Sequence, residues 1–122
     1  MPYALHWETH GVYKKFSGVV TGFELLQSVI DVAFDVKFRS LKYELTDYLS
    51  AVETVFSQDM LNEVRAVRLG SFKTNPNIRV AIVTMDPQIQ QRIYSTIVAK
   101  LTLHQTQVFS TTAEANAWLG RT

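Results

Sequence analysis

The sequence predicts a single α/β domain of order β-β-α-β-α-β-α-β-α, with a five-stranded mixed sheet and about four helices. Three observations carry this. The length of 122 residues fits one domain, expected to span 1–122. Apolar residues switch along the chain between a period of two and a period near 3.6. Turn residues and helix caps fall between those runs. The composition, 47% hydrophobic and 19% charged, is that of a chain able to bury a core rather than a disordered one. With 12 Lys plus Arg against 11 Asp plus Glu, the net charge of +1 supplies no long-range field for a polyanion, so nucleic acid is not an expected partner. The chain has no cysteine, which removes disulfides, thiol chemistry and thiolate zinc sites together. The start, Met1-Pro2-Tyr3-Ala4-Leu5-His6, has neither a basic segment nor an apolar run, and no stretch approaches the ~20 apolar residues of a membrane span. A soluble, cytoplasmic protein is expected.

Residues 3–8 and 12–17 alternate and flank Thr9-His10-Gly11, the pattern of an antiparallel hairpin in which Gly11 is expected to supply a positive φ. Tyr3, Leu5 and Trp7 share one strand face, expected to be the core face. Thr21-Gly22-Phe23-Glu24 has capping-box spacing and opens a first helix. Its apolar arc holds Phe23, Leu25, Leu26, Val29, Ile30, Val32, Ala33 and Phe34, wider than one sheet contact needs. The surplus is expected to pack on a neighbouring helix, with a second subunit as the other possibility. Residues 37–42 read as a polar link, and residues 43–49 alternate as a third strand. Ser57 suits an N-cap, with Asp59 near the positive end of the helix dipole, Met60, Leu61, Val64 and Val67 as the stripe, and Gly70 as the stop. After the turn residues Asn75-Pro76-Asn77, residues 78–84 form an apolar run suited to a central strand. Asp86-Pro87 is an N-cap followed by proline at the first helical position, and Ile93, Tyr94, Ile97, Val98 and Leu101 make that helix's stripe. A short strand near 107–109 precedes a second capping-box spacing, Thr111 to Glu114, and a last helix with Trp118 and Leu119 that ends at Gly120.

In an open α/β sheet, ligands and partners meet the carboxyl ends of the strands, where helix N-termini converge. Two connections qualify here: residues 48–57, of which the eight past the expected strand carry Ser50, Thr54 and Ser57, and residues 84–87. Asp47, Ser50, Thr54 and Ser57 are therefore the candidate phosphoacceptor or partner corner. Capping explains Ser57 and Asp86 without further function, and hydrogen bonds to nearby amides explain Asp47. Thr84 and Asp86, with the aromatics Phe23, Phe34 and Tyr94, are the candidate crevice for an apolar ligand.

The spacing His6-x-Glu8-x-His10 puts three ligand types on one strand face, but its outer pair lie roughly 13 Å apart on a straight strand, too far to share one ion. No metal and no cofactor are expected. His104 near the end of the third helix has no companion that suggests catalysis. Lys37, Arg39 and Lys42 form one acid-free group, and Arg65, Arg68, Lys73 and Arg79 another. Such groups are usually a solvated face; they suit an anionic head group or phosphate if the fold makes them converge. There is no glycine-rich phosphate loop, no Gly-x-Ser-x-Gly elbow and no His-Glu-x-x-His helix, so no nucleophile and base are assembled and no enzyme is expected.

The opening Tyr3-Ala4-Leu5-His6-Trp7-Glu8, the hairpin end Phe16-Ser17-Gly18-Val19-Val20-Thr21-Gly22, the segment from Asn75 to Val83 and the closing Ala113-Glu114-Ala115-Asn116-Ala117-Trp118-Leu119 resemble the SpoIIAA-like group of bacterial proteins, related to the STAS domain of sulfate transporters and anti-sigma-factor antagonists. The likeness covers nearly the whole chain. It implies a mixed sheet with helices and a bacterial cytoplasmic location. In anti-sigma-factor antagonists a serine at the start of the helix after the third strand is phosphorylated by a partner kinase, and Ser57 stands in the similar place. The chain departs from their short Asp-Ser-x-Gly-like turn, running Thr46-Asp47-Tyr48-Leu49-Ser50 into a longer segment without glycine. The resemblance thus implies partner binding at this corner more than a phosphorylation switch. The group has also been compared with the SEC14-type lipid-binding fold. The expected function is a non-catalytic regulatory or protein-interaction module, binding a protein partner or itself as a homodimer; the alternative is a carrier or sensor of an apolar or lipid-like small ligand.

Overall fold

The computed structural model describes residues 3–98 and 104–121, with side chains in the third helix described as far as residue 92. The elements are β1 (Tyr3–Trp7), β2 (Gly11–Thr21), α1 (Gly22–Ala33), a 3-10 turn (Val36–Ser40), β3 (Tyr43–Val55), α2 (Gln58–Thr74), β4 (Arg79–Val83), α3 (Pro87–Val98), β5 (Gln105–Phe109) and α4 (Thr112–Leu119). The strands form one sheet in the order β1-β2-β3-β4-β5, antiparallel between β1 and β2 and parallel from β2 onward. Right-handed crossovers between parallel neighbours put α1, α2 and α3 on one face. On the other face, α4 packs against β3, β4 and β5. This is the expected α/β class, with the expected order of elements along the chain and the expected five-stranded mixed sheet.

Local chemistry explains the helix starts. Thr21, Ser57 and Thr111 each accept the amide of the residue three further on, at 3.3, 3.2 and 3.2 Å. The Asp86 carboxylate accepts the amide of Gln88 at 2.9 Å, ahead of Pro87. At Thr111 the hydroxyl also donates to the Glu114 carboxylate at 2.9 Å, joining the cap to the third helical residue through their side chains. At Thr21, Oε2 of Glu24 is buried and finds no hydrogen-bond partner among the described residues. Gly120 ends α4 in the left-handed region at φ 69°.

The core has three parts. Val12, Val32, Phe38, Leu41, Ile78 and Val80 fill one, beside Leu5 and Trp7. Tyr3, Phe16, Val20, Tyr48 and Ile89 fill a second. Leu45, Ala81, Val83 and Ala115 form the third, beneath α4. Tyr3, Leu5 and Trp7 do face inward, as alternation expects. The wide arc of α1 is partly spent on α2, its neighbouring helix, yet Phe23 and Phe34 at its two ends stay exposed.

Four local expectations need correction. Residues 37–42 are not a plain polar link, because Phe38 and Leu41 are buried and anchor the 3-10 turn. Gly70 does not stop α2, which runs on to Thr74; Asn75 caps it and Pro76 follows, unable to continue the helix. The Asn75 side chain donates to the carbonyls of Phe38 and Leu41, both at 2.9 Å, and so ties the helix end to the 3-10 turn. Gly11 is not a positive-φ residue; among the described glycines that conformation belongs to Gly18 and Gly120. Position 11 needs glycine for a different reason, since a Cβ there would overlap the Tyr43 ring. Gly11→Ala is therefore expected to cost about 1–3 kcal/mol in urea denaturation as the ring is forced off its Glu8 partner.

The fourth correction matters most for function. The segment 48–57 is not a loop, because β3 continues to Val55 and only Phe56 and Ser57 connect it to α2. It pairs with β2 throughout, through register shifts that leave two residues of β3, Tyr48 and Leu49, between the pairs 15–47 and 17–50, and Val52 unpaired between 18–51 and 19–53. Such bulges twist a strand and re-aim its side chains. Gly18, at φ 66°, sits at the second of them.

Candidate functional site

Pairing of β3 with β4 stops at Asp47 and Val83, while β2 and β3 continue as a two-stranded ribbon. Past that point the β4 side of β3 has no strand beside it. The ribbon and the β4–α3 turn enclose a pocket of about 110 Å³, whose wall includes Tyr48, Leu49, Val52, Glu53 and Thr54 from β3 and Thr84, Met85, Asp86 and Ile89 opposite. Around it, Leu49, Val52, Val55 and Met85 are exposed, Val52 at 84%. The topology thus places a pocket and an apolar rim where the carboxyl ends of β3 and β4 meet.

The predicted site residues fall into three groups. Asp47 sits within β3 where its pairing with β4 stops, while Thr54 and Ser57 lie at the end of β3 and the head of α2. Asp47 is buried; its Oδ1 accepts the amide of Leu49 at 2.8 Å and its Oδ2 the hydroxyl of Tyr13. It thereby holds the first bulge. Ser57 is exposed while capping α2, and Ser50, also exposed, lies within the strand opposite Ser17. Thr84 and Asp86 line the pocket, where they brace the β4–α3 turn: the Thr84 hydroxyl accepts the amide of Asp86 at 3.1 Å, and the Thr84 carbonyl accepts Gln90 Nε2 at 2.8 Å. Phe23 and Phe34 do not join them, one in the first turn of α1 and the other at its C-cap, 66% and 79% exposed. The side chain of Tyr94, with the expected stripe Ile93, Ile97 and Val98, lies outside the described residues, as does Leu101.

Of the motif His6-x-Glu8-x-His10, both histidines are exposed, whereas Glu8 is held by Arg121 at 2.9 and 2.8 Å and by the Tyr43 hydroxyl. Among the described residues no group of three or more His, Cys, Asp or Glu is placed to hold a metal ion.

Sequence reasoning missed a buried ionic cluster between the sheet and α2. Lys14 Nζ stands 3.3 Å from Glu44, and Arg68 reaches the other carboxylate oxygen at 3.5 Å. Burial pushes the Lys14 ammonium down to about 8, against the attraction of Glu44. Burial raises the Glu44 carboxyl, but Lys14 and Arg68 outweigh it and hold the group below the ordinary range. A signal for this pair existed, since Lys14 interrupts the inward series Val12, Phe16 on one strand and Glu44 sits inward on the next. His104, also buried, places Nε2 2.7 Å from the Asn75 carbonyl and packs on Phe72.

The architecture is that of a SpoIIAA-like fold. The anti-sigma-factor antagonist SpoIIAA in its unphosphorylated form superposes with a TM-score of 0.65 at 9% identity, covering 98% of this chain and 97% of that one. The phosphorylated form of the Bacillus cell-fate determinant SpoIIAA gives 0.64 at 9% identity over 96% and 98%. An uncharacterised DUF3478-family protein of SpoIIAA-like fold from Shewanella loihica gives 0.60 at 17% identity over 96% and 91%. No protein-family model matches the chain, and no curated protein matches it in sequence. The comparison with the SEC14-type fold finds no support in these matches. No helix among the described residues is long and apolar enough to cross a membrane.

Proposed function

We propose that this chain is a non-catalytic regulatory module that binds a protein partner through the corner made by the β2–β3 ribbon, the head of α2 and the β4–α3 turn. The observation that carries the reading is the overrun of β3 past β4, which leaves Leu49, Val52, Val55 and Met85 uncovered beside a shallow pocket. Uncovered apolar side chains grouped around polar ones are the usual composition of a protein-binding surface. The fold likeness to an anti-sigma-factor antagonist supports the same reading. Ser57 stands exposed at this corner, so a phosphate there would sit at the helix N-terminus and change the charge of the surface. The pocket, at about 110 Å³, falls short of the ~300 Å³ of small-molecule sites, which favours a macromolecular partner over a carried ligand at this place.

The test compares the wild-type chain with Val52→Asp/Met85→Asp in quantitative pull-downs from the native host and in native mass spectra. Both substituted side chains are exposed, so the melting temperature should hold within a few degrees. A partner, or a second copy, retained by the wild type and lost at least tenfold by the variant is the expected result. Equal retention by both proteins, or no association of the wild type at all, would refute the reading.

A further inference from the structure

We propose that the opposite end of the molecule, at the amino ends of β3 and β4, docks on an anionic lipid surface. This inference concerns a different surface from the partner corner and does not depend on it. The two cationic groups that are separate in sequence converge here through main-chain bonds. The amide of Lys42 donates to the His10 carbonyl at 2.7 Å, and the amide of Arg79 donates to the Lys42 carbonyl at 3.1 Å. Asn75, two residues past Lys73, donates to the carbonyls of Phe38 and Leu41 and, at 3.4 Å, to that of Arg39. Lys37, Arg39, Lys42, Lys73 and Arg79 are therefore gathered at one end, all exposed, with Lys37 lying over the Trp7 ring and Arg79 held by the Trp118 carbonyl at 2.7 Å, so that Arg39, Lys42 and Lys73 are the main contributors. Arg68 is not among them, being turned inward to Glu44. Acids near this end are committed: Asp35 accepts the Lys37 amide, and Glu8 is held by Arg121 and Tyr43.

Beside these cations two apolar side chains protrude. Phe34 is 79% and Val36 91% exposed, and they flank Asp35 where α1 hands over to the 3-10 turn. The tip is firmly seated, because Phe38 and Leu41 just beyond it are buried and Asn75 grips their carbonyls. A nucleic acid could stack a base on Phe34 but would leave the aliphatic Val36, 91% exposed, without a use, and the net charge of +1 gives it no long-range attraction. A bilayer uses both, the cations against anionic head groups and the apolar pair at the boundary with the acyl chains. The net charge of +1 does not oppose this, since the excess is local. Glu53, Asp59 and Asp86 lie at the other end, so the charge distribution also orients the approach. With two inserted side chains and a basic ring, binding should be reversible and salt-sensitive.

The test is cosedimentation of the purified chain with vesicles of phosphatidylglycerol mixed into phosphatidylcholine, against vesicles of phosphatidylcholine alone. Binding to the anionic vesicles, near-absence from the neutral ones and loss at about 0.5 M salt are expected. Arg39→Gln/Lys42→Gln should weaken partitioning about fivefold for each charge removed. Phe34→Ser/Val36→Ser should weaken it as well without altering net charge. All four positions are exposed, and circular dichroism melts would verify that the variants fold. The proposal is overturned if the wild type ignores anionic vesicles, if it binds neutral vesicles equally, or if Phe34→Ser/Val36→Ser binds undiminished. It is overturned also if a single-stranded RNA oligomer competes the protein off the vesicles while binding that double variant as well as the wild type, which would mark a polyanion site.

Discussion

Glu44→Leu is expected to destabilise the fold by about 3–5 kcal/mol in urea denaturation, among the largest effects of any single change in this chain. The reason is the ammonium left behind. Lys14 is 1% exposed, and in the intact protein the carboxylate of Glu44 at 3.3 Å is its ion-pair partner. Removing both charges together is a different experiment. In Lys14→Met/Glu44→Leu the space is filled by apolar groups of similar size, and Arg68, 27% exposed, has a route to solvent. The double variant should therefore lie near the wild type or above it. The two singles will then be non-additive by several kcal/mol, the mark of a shared buried interaction.

The same pair sets a pH signature. The Lys14 ammonium lies at about 8 in the fold against 10.5 in the open chain. Between those values the unfolded chain holds a proton that the native protein does not, so stability from this group rises with pH through that window and is lost again as pH falls through about 8. Tyr3 and Tyr48 run the other way. Burial, reinforced for Tyr3 by Asp31, pushes both up to about 12, so their contribution is intact below pH 10 and lost on the climb toward 12. Denaturation curves across pH 7 to 12 should show a rise and then a fall, and only the rise should vanish in the double variant.

Phe16→Ala is the second large effect, expected at about 3–5 kcal/mol. Phe16 is fully buried, stacked on Tyr48 with ring centroids 4.9 Å apart, and 5.8 Å from Tyr3. It sits opposite the first bulge of β3, so its loss removes packing on the side chain that the bulge turns inward. Phe16→Leu should recover most of the stability. Near-UV circular dichroism should report the freed Tyr48, and a cost below about 1 kcal/mol for the alanine variant would show that this cluster does not hold the ribbon.

Much of the frame is legible in the residues themselves because it rests on local chemistry. Hydroxyls and carboxylates at Thr21, Ser57, Asp86 and Thr111 mark four helix starts, and alternation marks the hairpin. The illegible parts depend on contacts distant in sequence. The extension of β3 hides because two bulges break its period of two and leave Val52 outward beside Ser50 and Glu53. Gly70 reads as a stop, yet α2 is carried past it to a cap whose side chain is anchored 37 residues away at Phe38. Gly11 answers to the ring of Tyr43, which no nearby residue announces. The site divides on the same line. Thr54, Thr84 and Asp86, picked out by the rule that ligands meet strand ends, lie in the wall of one pocket, whereas Asp47 and Ser57 are not part of that wall. The grouping of Phe23 and Phe34 with Thr84 and Asp86 fails because a helical arc says which way a residue points, and not how far along the helix it lies.

Strand order in this sheet follows chain order without exception. Each strand is therefore laid against the outer rim of what precedes it, and none has to be wedged between two that already touch. A polypeptide emerging from the ribosome can build such a sheet by accretion, the last-formed border always being the landing site for the next arrival. The bridge from Arg121 back to Glu8 joins positions 113 residues apart, so it can close only after all five strands are laid down.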